Sequence, residues 1–90
     1  MIKRHEDQVM ARLDHLYSDG TTFMSWAEIY HWYKVKRLSK APWRDIHARW
    51  LDLLQEQGSK NVGEPQTLNV TDGVLFFLPG YGGPLKDRAA

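Results

Sequence analysis

The sequence predicts an α+β domain in which three helices precede a C-terminal β-hairpin. Apolar residues repeat at helical spacing over positions 39–57, Ser25 and Glu28 match the capping-box pattern, and Asp72-Gly73 separates two β-prone runs. Ninety residues with a hydrophobic content of 42% can build one small core. We therefore expect a single domain over residues 1–78 and a flexible Gly/Pro-containing tail over residues 79–90.

The first half of the chain predicts two helices joined by a short extended segment. The first helix runs from about His5 to Tyr17, and Ser-Asp-Gly at positions 18–20 ends it. Its apolar face comprises Val9, Leu13, Leu16 and Tyr17. Residues 21–24 are β-prone but too few for more than a bridging strand or an extended linker. The second helix starts at the capping box and runs over about residues 26–37.

Aromatic residues nearly encircle this second helix, and a small core cannot enclose them all. They are Trp26, Tyr30, Trp32 and Tyr33. We expect Ile29 and Tyr33 to form the inner stripe, joined by Trp26 and Tyr30, with Leu38 closing the following connection. The aromatic surface left over could be a dimer contact, a partner site or half-buried packing, of which packing is the commonest.

The third predicted helix, residues 39–57, has the clearest boundaries. Ser39 suits the N-cap, Pro42 suits the first turn, and Gly58 suits the left-handed position after the last turn. Its buried stripe comprises Trp43, Ile46, Trp50, Leu53 and Leu54. Arg44 lies opposite this stripe, so the outward face has a basic N-terminal half.

After Gly58 the pattern becomes extended. Residues 66–71 and 74–78 flank Asp72-Gly73, which is a strong signal for a two-residue hairpin turn. The hairpin should close the core with one face. The inward side chains are expected to be Leu68, Val70, Leu75 and Phe77, or their alternates along the strands.

Positive charge is concentrated in the middle of the chain. Positions 34–49 hold six cations against Asp45 alone, a local charge of +5, whereas the whole chain has a net charge of only +1. This segment could contact phosphates, although a solvated basic helix end is an equally ordinary explanation. A histone-like polycation is excluded by the balanced total charge.

Several functional classes have no support in the residues. The chain has no cysteine, which excludes disulfides and thiolate zinc sites, and its N-terminus has no uninterrupted apolar run for a signal peptide or membrane span. The spacing of His15, His31 and His47 has no ligand geometry behind it, and Glu28 with His31 lacks the second copy that a di-iron site needs. We expect a soluble cytoplasmic protein that is not an enzyme and has no metal or cofactor.

The order of the predicted elements resembles the winged helix-turn-helix domain. It runs helix, short strand, capped helix, tight turn, longer helix ending at glycine, then β-hairpin. The segment LSKAPWRDIHARWLDLLQEQG at positions 38–58 looks like the recognition-helix segment of bacterial MarR-like regulators. The resemblance covers roughly residues 5–78. It implies a sequence-specific regulator, as a homodimer, that binds double-stranded DNA with helix 39–57 in the major groove.

The resemblance also assigns roles to individual residues. In or beside the major groove it places Ser39, Lys40, Arg44 and Arg49, with Arg44 best suited to grip guanine in a bidentate way. As phosphate contacts it implies Lys34, Lys36, Arg37 and Lys40. Two features depart from the pattern: the third helix is about one turn longer than usual, and the acidic Asp72-Gly73 wing tip should add little affinity.

Two alternatives remain open from the sequence. A winged helix can instead bind another protein, here through the aromatic residues Trp26, Tyr30, Trp32 and Tyr33 of the second helix. The weaker alternative is an RNA-contacting accessory module that uses Tyr81 in the glycine-containing tail.

Overall fold

The computed structural model describes residues 1–37, 39–58 and 62–79, and its architecture is α+β. Over these residues the order is α1 (Lys3–Asp19), β1 (Thr21–Ser25), α2 (Trp26–Tyr33), α3 (Lys40–Gln57), β2 (Gln66–Val70) and β3 (Gly73–Phe77). The predicted fold class is confirmed at this level, and the arrangement is compatible with a winged-helix-like domain. Leu38 and residues 80–90 of the predicted tail lie outside the described residues.

The three strands form one antiparallel sheet in the order β1-β3-β2. Phe23 on β1 lies opposite Leu75 on β3, and Leu75 lies opposite Leu68 on β2. Thus residues 21–24, which the sequence indicated only as a bridging strand or linker, belong to a full edge strand that extends to Ser25. Their partner is more than 45 residues away in the chain, so local pattern alone did not reveal the pairing.

The core lies between the helices and the inner face of the sheet. It consists of Val9, Leu13, Leu16, Met24, Ile29, Trp32, Ile46, Trp50, Leu53, Val74, Phe76 and Leu78. On β3 the inward residues are therefore the alternates Val74 and Phe76, while Leu68 and Val70 on β2 are exposed. Because strand side chains alternate between faces, this choice places Phe23, Leu68 and Leu75 together on the outer face.

Local sequence signals account for most element boundaries. The hydroxyl of Ser25 accepts a hydrogen bond from the Glu28 amide, and the Glu28 carboxylate accepts one from the Ser25 amide, which confirms the capping box at the start of α2. Gly20 and Gly58 adopt left-handed φ values of 86° and 67° and end α1 and α3. Helix α2 is shorter than predicted, because Lys34 takes a left-handed φ of 53° directly after Tyr33.

The hairpin turn is shifted by one residue from its predicted place. Thr71 and Asp72 form the turn, and Gly73 is the first residue of β3, opposite Ser25 and Val70. Gly73 is buried, and a Cβ atom there would lie 2.7 Å from the Ser25 Cα and from the Phe23 ring. The glycine is therefore required by the close approach of β1 and not by the turn itself.

Candidate nucleic-acid interface

The basic segment forms an exposed surface where α2 ends and α3 begins. We name this surface the basic entrance; it comprises Lys34, Lys36, Arg37, Lys40 and Arg44. All five side chains are exposed, and none forms an ion pair or side-chain hydrogen bond with another residue that the structure describes. Within the described part of the chain, the entrance therefore presents five positive charges to solvent without an ion-pair partner.

Arg49 differs from the other cations of this region. Its Nε donates to the Asp45 carboxylate at 2.8 Å, its guanidinium lies 3.4 Å from the Glu6 carboxylate on α1, and its side chain is only 21% exposed. Hydrogen bonding to Asp45 raises the pKa of Arg49 above its ordinary value, against the opposing effect of burial. The guanidinium expected to lie in or beside a groove is thus held by the protein's own carboxylates and ties α3 to α1.

Asp45 also fixes the end of α2 against α3. The Tyr33 hydroxyl donates to the Asp45 carboxylate at 2.7 Å. Burial, followed by the hydrogen bond to Asp45 and its charge, raises the pKa of Tyr33 well above its ordinary range. One carboxylate consequently joins α2 to α3 and, through Arg49, to α1, and the residues of the basic entrance lie between Tyr33 and Asp45 in the sequence.

The underside of α3 holds the helix in place through apolar contacts. Ile46, Trp50 and Leu53 are at most 4% exposed, as the predicted stripe required, and Pro42 is buried in the first turn. Ser39 occupies the N-cap position, yet its side chain caps no amide of the helix. The first-turn amides of α3 therefore have no side-chain cap next to Lys40.

The aromatic residues of α2 do not form a continuous open surface. Trp32 is 2% exposed, its Nε1 donates to the Gln8 side chain at 2.7 Å, and the Arg12 guanidinium lies 5.6 Å from its ring centroid. Trp32 is thus a core residue, which corrects its assignment to a partner-binding surface. The helical pattern was ambiguous here, because aromatic residues occur on nearly every side of α2.

The remaining aromatic side chains of α2 are half-buried. The Trp26 Nε1 donates to the Val70 carbonyl at 3.3 Å, and the Trp26 ring meets Trp43 edge-on at 6.4 Å. Tyr33 is bound to Asp45, and Tyr30 is partly covered. Packing therefore accounts for most of the aromatic surface that the sequence left unassigned.

A cleft of about 390 Å³ separates α3 from the inner side of the hairpin. Its lining includes the apolar residues Ile46, Trp50 and Phe76 together with Thr67 and Asn69 of β2. At its edge the His47 Nε2 lies 2.9 Å from the Glu64 carboxylate. The sequence did not predict this cleft, because its walls come from four separate elements.

A buried histidine, His5, lies in the first turn of α1, close to several basic groups. His5 is 4% exposed, its ring centroid is 4.6 Å from that of His31, and neither of its ring nitrogens has a hydrogen-bond partner in the described chain. Burial lowers the pKa of His5, as does electrostatic interaction with His31, Arg4, Lys34 and the N-terminus. The described residues contain no group of three or more His, Cys, Asp or Glu that could hold a metal ion.

Comparisons of the chain with protein-family models, curated proteins and solved structures find no match. None of the helices in the described ranges combines the length and apolar character needed to cross a bilayer.

Proposed function

We propose that the protein is a winged-helix regulator that binds double-stranded DNA through the basic entrance, with the N-terminal half of α3 in the major groove. The observation that carries the proposal is the set of five exposed cations, before and within the first turns of α3, that have no ion-pair partner among the residues the structure describes. A polyanion supplies the missing partners, and release of its counterions drives binding. The strand order β1-β3-β2, with three helices preceding the hairpin, supports the winged-helix interpretation.

Within this surface the residues divide into two roles. Arg44 lies one helical turn beyond Lys40 on the exposed side of α3, where a planar guanidinium can reach guanine O6 and N7. Lys34, Lys36 and Arg37 precede the helix and suit phosphates, which position the protein without reading sequence. Arg49 has no role in this proposal, because its ion pairs with Asp45 and Glu6 already occupy it.

The salt dependence of duplex binding tests the size of the interface. Phosphate contacts by Lys34, Lys36, Arg37 and Lys40 predict a slope of log affinity against log salt of roughly −3.6 per protomer. Replacing Lys40 and Arg44 with alanine should reduce the slope by about 1, through Lys40, and should also remove the base contact of Arg44. The matched control replaces Lys3 and Arg4, which removes the same charge from the start of α1. Equal losses in both variants would contradict a directed interface and indicate only non-specific attraction.

Recognition of a specific DNA sequence is tested separately, by selection from a pool of random duplexes. The wild-type chain should enrich one motif, and Arg44→Lys should keep the affinity for phosphates but relax the preference at a guanine by about 1–3 kcal/mol. Selection without enrichment would remove the sequence-specific part of the proposal. One such domain covers only a half-site, so we further propose that two copies act together.

A further inference from the structure

The outer edge of β1 is sealed by side chains from the helices. Pairing with β3 leaves alternate backbone groups of β1 pointing away from the sheet, at Thr21, Phe23 and Ser25. The Phe23 carbonyl accepts from Arg12 at 2.6 Å, the Thr21 carbonyl accepts from the His15 Nδ1 at 2.7 Å, and the Ser25 amide donates to Glu28 at 3.0 Å. Another strand could not pair here without breaking these bonds.

The opposite edge, on β2, has no such protection. The two-residue turn closes with Val70 opposite Gly73, so the outward backbone groups of β2 are the amides and carbonyls of Thr67 and Asn69. No hydrogen bond to these outward groups is found among the described residues. The strand sequence QTLNV contains neither a charge nor a proline, and all five of its residues are exposed. These are the features that natural edge strands usually avoid.

The outer face of the sheet beside this edge is apolar. Leu68 is 55% exposed and Val70 is 42% exposed, and Leu68 continues the row formed by Leu75 and Phe23 across the sheet. A strand added next to β2 would extend the row and cover the side chain of Leu68. The backbone edge and the apolar face therefore favour the same kind of partner, which is an uncharged extended strand.

We propose that this partner is the β2 strand of a second copy of the chain. Two identical strands related by a two-fold axis are necessarily antiparallel, and QTLNV brings no like charges together. Centring the axis on Leu68 places Thr67 opposite Asn69 of the second copy, which uses the outward amides and carbonyls of both residues. The product is a continuous six-stranded sheet. Because the outer edge of β1 is sealed in both copies, assembly stops at the dimer.

That the dimer brings two DNA-binding helices together rests on the proposed function, whereas the pairing of the two β2 strands requires no nucleic acid. A variant without Lys40 and Arg44 should therefore dimerise like the wild-type chain. If dimerisation fails while selective DNA binding persists, only the interface is wrong. If DNA binding fails while dimers form, only the function is wrong.

Cross-linking tests the register directly, because the chain has no cysteine of its own. In the proposed dimer Leu68 faces its own copy in a non-hydrogen-bonded pair, with a Cα separation of about 4.5 Å, which is within the range that a disulfide spans. Leu68→Cys should form a covalent dimer under mild oxidation. Phe23→Cys is the matched control, since Phe23 lies in the same row at 40% exposure but on the sealed edge. A monomeric Leu68→Cys variant, or equal cross-linking of both variants, would overturn the proposal.

The oligomeric state of an edge variant provides a second test. Thr67→Pro removes an outward donor from each copy and leaves the β2–β3 hydrogen bonds in place, because the Thr67 amide faces away from β3. We expect a roughly 10- to 100-fold weaker dimer by analytical ultracentrifugation, with an unchanged circular dichroism spectrum. Thr67→Val keeps the amide and should dimerise normally. Wild-type protein that stays monomeric over the whole concentration range, or Thr67→Pro that dimerises normally, would contradict the interface.

Discussion

Removal of the Asp45 carboxylate should weaken the polar contacts that join α2 and α1 to α3. Asp45 accepts hydrogen bonds from the Tyr33 hydroxyl at 2.7 Å and from the Arg49 Nε at 2.8 Å, and Arg49 in turn lies 3.4 Å from Glu6. In Asp45→Ala the Tyr33 hydroxyl loses its acceptor while half-buried. Arg49 keeps only its longer contact with Glu6.

The size of the effect follows from the exposure of these groups. Hydrogen bonds to charged groups contribute about 1.5–3 kcal/mol when buried, whereas exposed ion pairs contribute about 0.2–1 kcal/mol. The Asp45 side chain is 38% exposed and the Arg49 side chain is 21% exposed, which places each bond between these limits. At about 1 kcal/mol for each of the two bonds, the total loss is about 2 kcal/mol. In a domain of this size that corresponds to a fall in Tm of roughly 8–16 °C.

Urea denaturation and thermal unfolding, both followed by circular dichroism, measure this loss. Asp52→Ala is the matched control, because Asp52 lies on the same helix, is exposed and has no partner in the described chain. Both substitutions gain the same helix propensity, so the difference between them isolates the contacts of Asp45. A difference below about 0.5 kcal/mol would show that the contacts of Asp45 do not stabilise the fold, since that is the usual size of a neutral surface change.

The same variant has a spectroscopic signature. In the wild-type protein the pKa of Tyr33 lies above its ordinary value near 10, partly because of Asp45. A group whose pKa is raised by folding loses its contribution to stability as the pH rises above the ordinary value. Because Asp45→Ala removes this effect of Asp45, the pKa of Tyr33 should fall, and its phenolate should form at lower pH. The ultraviolet absorbance of the phenolate measures this titration. An unchanged phenolate titration would show that Asp45 does not control Tyr33.

Three further predictions concern single positions. Folding lowers the pKa of His5, so its contribution to the free energy of unfolding should be fully present above about pH 6.5 and should fall as the pH drops below that value. His5→Leu should flatten this pH profile in thermal melts. An unchanged profile would show that other groups cause the acid sensitivity. Gly73→Ala should cost about 3 kcal/mol in urea denaturation, because its Cβ meets the Ser25 backbone; a loss under 1 kcal/mol would contradict that contact. Lys34→Gly should raise stability by about 1 kcal/mol relative to Lys34→Ala by relieving the left-handed φ of 53°, and equal stabilities would count against strain there.

The parts of the fold that the sequence predicted correctly depend on neighbours within a few residues. The capping box of Ser25 and Glu28 joins positions three apart, and Gly58 ends α3 through its own backbone conformation. The stripe of Ile46, Trp50 and Leu53 follows from the helical period alone. Each of these features could be inferred without knowing how the helices pack.

The features that were missed depend on distant segments. The turn was predicted one residue too late because Gly73 is required by the close approach of β1 and not by the hairpin turn. In the candidate site, the exposure of Lys40 and Arg44 agreed with the helical period. The spacing of Asp45 and Arg49, four residues apart, could have indicated their ion pair, but the contact of Arg49 with Glu6 required the packing of α3 against α1.

The position of β3 at the centre of the sheet has a consequence for the order of events during synthesis. Thr21 pairs with Phe77, and the Leu78 amide donates to the Gly20 carbonyl at 2.9 Å, so the first strand finds its partner only when almost the whole described chain exists. The helices can form while translation proceeds. The core around Met24 cannot be completed until Val74, its partner on β3, has been synthesised. A nascent chain halted before residue 73 should therefore remain sensitive to proteases, and protection should arise abruptly once the last strand clears the ribosome.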